Sequence, residues 1–224
     1  MTLEAANAAT LRLVDLSWAN YLQRVLTRLR MAGQRYHANG TEALIKRFKL
    51  ARPATYHHSV RVSRLSRTVG RALGFEDERL KQLCYTAILH DVGKMLVPEV
   101  ILNRPRKPTR TEFFILHMHP TFGALLASYF NLKPSLRIRT QHHHERWDGR
   151  GYPHKLGGED IPLMARIVQV ADTYDAMVAE RPYRRPLTHE EAATELRKHA
   201  GTQFDPRIIE AFLDTFTVNA EKSH

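Results

Sequence analysis

Leu89-His90-Asp91-Val92-Gly93-Lys94, LHDVGK, places an imidazole and a carboxylate side by side at the end of an apolar helical run, just before a glycine that stops the helix. The run before it, Leu80, Leu83, Cys84, Ala87 and Ile88, has the three- and four-residue spacing of one buried helical face. Downstream stand His119, the run His142-His143-His144, and Asp172 inside the apolar segment VQVADTYDA. A carboxylate has two oxygens and can serve two cations, so Asp91 is the candidate bridge of a site holding two divalent metals. Lys94 follows three residues later, roughly one turn on, where its ammonium can face the same centre and contact a phosphate oxygen. Asp172 is hard to place in an apolar helix without a partner or an ion, because burying a lone carboxylate costs several kcal/mol. Its neighbour Asp175 reads as solvent-facing.

Working outward, the periodicity stays helical. Val60, Val62, Leu65 and Val69 predict a helix ending near Gly74, and Glu42 to Leu50 a shorter basic one, with Pro53 breaking the path between them. Prolines 98, 105 and 108 predict an irregular exposed segment from Val97 to Thr111. Thr109 with Glu112 reads as a capping box opening the helix that leads to His119, and Pro120 and Gly123 kink or restart it. Asp148-Gly149-Arg150-Gly151-Tyr152-Pro153-His154 is a loop, and Pro162 opens a helix burying Leu163, Ile167, Val170, Tyr174 and Val178. No strand-like alternation or internal repeat is present, so the expected class is all-α.

The chain has 224 residues, enough for one compact domain with an extension. Leu11, Val14, Trp18, Leu22, Val25 and Leu29 predict an amphipathic N-terminal helix, a candidate homodimer seam or contact for a signalling partner. The expected division is an extension at 1–52 and a main domain at 53–218. No apolar run approaches the roughly 18 to 20 residues of a membrane span, and MTLEAANAAT lacks the pattern of a secretory leader, which predicts a cytoplasmic protein. The single cysteine, Cys84, excludes an internal disulfide and a thiolate-rich zinc site, and its apolar setting predicts burial. Metal binding therefore rests on nitrogen and oxygen, which suit iron, manganese, zinc or nickel. A formal charge of +11 and a pI near 10.0 attract polyanions. The basic residues form no block or aromatic-basic pattern, so specific nucleic-acid binding is not expected.

Together HDVGK, HMHPTFG, HHERWDGRGYP, IPLMARIVQVAD, RPYR and GTQFDPRIIEAF, in this order over residues 56 to 215, resemble the HD-GYP subgroup of the HD phosphohydrolases. The resemblance implies an HD-type helical bundle that cleaves cyclic di-GMP to pGpG, and in some members on to GMP, by attack of a metal-bridging hydroxide. It implies metal ligands at His58, His90, Asp91, His119, His143, His144 and Asp172, with iron or manganese as the two ions. The frame HHER selects His143 and His144 and leaves His142 without a role. Asp91 and Lys94 are the implied catalytic residues, and Lys94, Tyr152, Arg181 and Arg184 the implied substrate contacts. Glu145, Arg146 and Asp148 are expected to fix the loop. Members with a third metal carry a glutamate one turn before the first ligand histidine; Ala54 stands here, so two metals are expected. Cyclic GMP-AMP or another nucleotide diester as substrate, and a catalytically silent cyclic-dinucleotide receptor, are the competing readings.

Overall fold

The computed structural model describes residues 40–103, 106–180 and 185–221, together with Gln23 and Thr27. The rest of the expected N-terminal helix, and Arg181 and Arg184, lie outside the described residues. Among those described every extended element is helical, as the periodicity predicts, and one isolated bridge joins Ala200 to Phe204.

Helix α1 (Gly40–Ala51) buries Leu44 and Phe48 completely, four residues apart on one face. Pro53 both ends this helix and opens α2 (Pro53–Ala72), where a missing N–H is harmless in the first turn. The expected break is therefore a corner. Arg52 sits at that corner, donating to the carbonyls of Lys94 (3.3 Å) and Val97 (3.0 Å) and pairing with Glu99. It ties the start of α2 to the backbone just beyond LHDVGK.

The buried face of α2 is Ser59, Val62, Ser63, Ser66, Val69 and Gly70, with small residues alternating among the valines. Small side chains let α3 (Asp77–Leu89) pack closely. A Cβ on Gly70 would stand 2.8 Å from Cδ2 of Leu83. Leu80, Leu83 and Ala87 of α3 are buried, but Cys84 and Ile88 are only half-buried, because they flank the contact stripe. Helix α8 (Leu163–Val178) is buried over most of its circumference and packs on α2, α3 and α9 (His189–Lys198), while α10 (Pro206–Glu221) closes the core with Ile208, Ile209 and Phe212. Each fully buried side chain here, such as Ile167, Leu196 or Phe212, contributes about 1.5 to 3 kcal/mol of burial free energy.

The elements that carry the histidines are shorter. A 3-10 turn, Val92–Leu96, follows Asp91, and the segment expected to be irregular contains one helical turn, α4 (Glu99–Leu102). Helix α5 (Arg110–His117) starts at the predicted Thr109–Glu112 capping box, worth about 1 kcal/mol. The path restarts as α6 (His119–Tyr129), with Pro120 in its first turn, and α7 (Pro134–Gln141) ends at the triple histidine. Gly93 packs so tightly on α6 that an added Cβ would lie 1.9 Å from the carbonyl oxygen of His119. Only hydrogen fits there, and that contact sets Asp91 beside His119. The following loop is pinned by Trp147 N–H to Gln203 O (3.2 Å) and Asp148 N–H to Thr202 O (2.8 Å). Buried Arg166 in turn holds buried Asp205 of the FDP segment at 2.6 Å.

Candidate metal centre

Five helices deliver the seven expected ligands to one place. His58 comes from α2, His90 and Asp91 from the end of α3, His119 from the start of α6, His143 and His144 from just past α7, and Asp172 from the middle of α8. They form two groups whose ligand atoms lie within 4.8 Å of one another, His119-His143-His144 and His58-His90-Asp172. Asp91 stands between them. One of its oxygens is 3.3 Å from Nε2 of His119 and the other 3.5 Å from Nε2 of His90. Across the divide the rings of His90 and His143 have centroids 5.0 Å apart.

Three of the rings share one device. Nδ1 of His90 lies 2.7 Å from the carbonyl oxygen of Ala87, that of His119 2.6 Å from Leu116, and that of His143 2.8 Å from Thr140, each three residues earlier. An N–H donated to a helix-end carbonyl fixes the tautomer and leaves Nε2 as the acceptor facing the centre.

His58 is oriented differently. Its Nδ1 is 2.7 Å from Asp175 and its Nε2 2.8 Å from Asp172, and Arg61 donates two hydrogen bonds of 2.8 Å to Asp175. Asp175 is only 4% exposed. The expectation of a solvent-facing carboxylate is thus corrected, because on a helix packed all round the residue one turn from Asp172 also points inward.

Electrostatics separate the two groups. Burial lowers the basicity of the first: His119 falls to about 3, His144 to about 4, and His143 well below the ordinary value. These three imidazoles are neutral at physiological pH. For His58 burial also disfavours charge, but the bonds to Asp172 and Asp175 outweigh it and raise its pKa to about 9. Burial likewise opposes ionisation of Asp91 and Asp172. Lys94, His90 and His119 overcome it for Asp91, and His58 and His90 for Asp172, so both carboxyls stay below the usual range.

One atom tests whether these residues suit a metal. Nε2 of His90 is buried without a hydrogen-bond partner, 3.7 Å from Asp172 and 3.5 Å from Asp91. An unsatisfied buried polar atom costs about 1 to 3 kcal/mol, and a cation among these donors removes that cost. Neutral imidazoles with carboxylates are the donor set of first-row divalent ions. The residues fit metal ions.

Among the other expected residues that are described, Lys94 and Tyr152 lie against the ligands. Nζ of Lys94 is 2.6 Å from Asp91, so it faces the centre. Tyr152 stacks on His144 with centroids 4.9 Å apart and planes at 23°, and its hydroxyl is made less acidic by burial and by the charges of Asp91 and Asp172. Glu145 is buried and accepts from the backbone N–H of His154 (2.6 Å) and Leu156 (3.0 Å), which fixes the loop as expected. Arg146 pairs with Asp148 at 2.7 Å. Ala54 is exposed in the first turn of α2 and offers no donor.

Two features escaped the sequence. The Arg61-Asp175 brace had a signal in the spacings 58/61 and 172/175, each one helical turn. The ring stack continues outward from Tyr152 to His117 at 4.3 Å and then to Phe113 at 3.9 Å, and nothing local to α5 announces it.

Comparison with known proteins identifies the family. The family model described as HD domain matches residues 42–208. A cyclic di-GMP phosphodiesterase of Thermotoga maritima is 40% identical over 162 residues, covering 71% of this chain and 44% of the relative. A 3'3'-cGAMP-specific phosphodiesterase of Vibrio cholerae is 35% identical over 159 residues, covering 70% of this chain and 30% of the relative. The chain thus spans less than half the length of these curated relatives. Among solved structures, the HDG"Y"P protein from Bdellovibrio bacteriovorus superposes with a TM-score of 0.62 at 21% identity, over 90% of this chain and 69% of the other. That likeness is one of fold.

Proposed function

This chain belongs to the HD-domain family, and from that premise we propose that it is a metal-dependent phosphodiesterase that opens cyclic di-GMP to linear pGpG. The observation that carries the reading is the pair of ligand groups meeting at Asp91, with the unpartnered Nε2 of His90 among them. A receptor that only bound a dinucleotide would not require so complete a set. The substrate is taken from the kind of relative the chain matches.

In this proposal His119, His143 and His144 would hold one ion, His58, His90 and Asp172 the second, with Asp91 within reach of both groups. Iron or manganese is the proposed pair. When bound, such ions supply Lewis acidity toward a phosphodiester and acidify water near neutral pH. The chain does the rest. Lys94, fixed by Asp91, neutralises a phosphate oxygen, and Arg181 and Arg184 clamp the phosphates with forked, permanently charged groups. Tyr152 sits against the centre, and the rings of His117 and Phe113 beyond it give a purine base a stacking surface. Water adds across one P–O3′ bond, leaving a 5′-phosphate and a free 3′-hydroxyl.

The N-terminal extension is proposed to mediate homodimerisation or engage a signalling partner, and the chain to act in the cytoplasm. No helix among the described residues is long and apolar enough to cross a membrane. A second substrate, cyclic GMP-AMP, is favoured by the cGAMP-specific type of relative. Turnover of cyclic di-GMP, cyclic GMP-AMP and a plain chromogenic diester by manganese- or iron-loaded protein decides between them. Preferential release of pGpG is expected. Binding of cyclic di-GMP with no turnover of any diester by the loaded protein would leave the receptor reading standing.

A further inference from the structure

We propose a separate cation site outside the seven-ligand centre, built from His142, Glu145 and His154 and suited to a divalent first-row transition ion. The ligand atoms of these three residues lie within 4.8 Å of one another. None is used by the centre itself, and neither His142 nor His154 had an expected role.

The geometry is that of a prepared chelate. His142 is the residue after α7 and is 8% exposed. Its Nδ1 lies 2.7 Å from the carbonyl oxygen of Ile138, which leaves Nε2 as the acceptor. That atom stands 2.9 Å from Nδ1 of His154. Two nitrogens each about 2.05 Å from one ion and at right angles are about 2.9 Å apart, while a tetrahedral pair is about 3.3 Å apart. A small swing of the exposed His154 ring covers that range. Coordination needs the single proton of His154 on its other ring nitrogen, Nε2.

Glu145 completes the set. Its two oxygens each accept one backbone N–H, from His154 and Leu156, and each oxygen keeps a second lone pair. The loop is forced back onto this carboxylate, since a Cβ on Gly151 would lie 2.4 Å from the nitrogen of Arg146 and 2.5 Å from Cα of Glu145. Two imidazoles and one carboxylate favour zinc, nickel or cobalt over magnesium or calcium. With His154 exposed, water can fill the remaining positions.

The placement gives the ion a task. Its ligands join the end of α7, which delivers His143 and His144, to the loop that carries Tyr152. A bound ion would clip that loop to the helix end and hold Tyr152 against His144.

Elemental analysis tests this on the full chain, stripped with chelator, equilibrated with zinc and freed of excess. His154→Ala and His142→Gln should each bind one zinc fewer per chain than the parent. Hydrogen exchange over residues 147–156 should slow with zinc more in the parent than in His154→Ala, whose seven-ligand centre is intact. Equal zinc content in parent and both variants would overturn the proposal and leave an ordinary ring-to-ring hydrogen bond. Should His142→Gln fail to fold, His154→Ala decides alone, because its side chain is exposed. The count does not depend on turnover, so a failure here is distinguishable from a failure of the phosphodiesterase reading.

Discussion

The two halves that meet at Asp91 reach the same end by opposite means. In the His119 half three imidazoles are kept neutral by burial, and two of them are aimed by carbonyls at the end of the helix just before them. In the His58 half a charged imidazole lies between two carboxylates, and its orientation depends on a brace from another helix. One half is set by local backbone and desolvation. The other is set by charge pairing across the α2–α8 contact. Before any ion binds, burial alone therefore does not decide the charge of these histidines; the carboxylates within reach do, and His58 would have to release its Nε2 proton to coordinate a cation.

Removing Asp91 should have the largest effect, since it stands between the two halves. Asp91→Ala is expected to lower turnover by about a thousandfold or more, roughly 4 kcal/mol of transition-state stabilisation, and to reduce bound metal in both halves. Steady-state kinetics with elemental analysis check it, and two ions retained at full affinity would break the picture of a shared carboxylate. Gly93→Ala strikes first at the His119 half, through the contact that sets Asp91 beside His119. Its Cβ overlaps the His119 carbonyl, so it should destabilise the fold by about 1 to 3 kcal/mol or more, read by thermal unfolding, and weaken metal binding where His119 contributes.

Asp175→Asn addresses only the His58 half. Losing a partner that orients a metal-binding histidine costs about 10- to 100-fold in affinity, so titration should show one weakened ion and one unchanged. Two equally weakened ions would mean that the halves are not separable. Phe113→Ala should leave both ions alone and raise KM about threefold to tenfold, the size of a lost stacking contact of about 0.5 to 1.5 kcal/mol. An unchanged KM would remove Phe113 from the substrate surface.

What could be read in advance follows the same division. Features governed by local periodicity and chain stereochemistry were legible: the helical class, the capping box at Thr109 and Glu112, and the restart at His119. Pro53 was read as a break because sequence shows the stop and not that the same ring begins the next helix. Asp175 was misjudged because its inward direction depends on α8 being covered on nearly every side, a property of its neighbours. The seven-residue set itself came from ordered motifs. Spacing over more than a hundred positions does not by itself fix convergence. His142 and His154 are twelve residues apart, and their contact depends on the loop folding back at Gly151.

The histidine-to-carbonyl bonds at His90, His119 and His143 carry a lesson for anyone transplanting this centre. A helix terminus always leaves oxygens unclaimed, and here those leftovers sort the tautomers of the neighbouring rings before any cation arrives. A designer who copied the imidazoles onto another bundle but placed them mid-helix, where each such oxygen already accepts a backbone N–H, would obtain rings held less firmly in the tautomer that faces the incoming ion. Where a helix stops is thus as much a part of the recipe as which residue stands there.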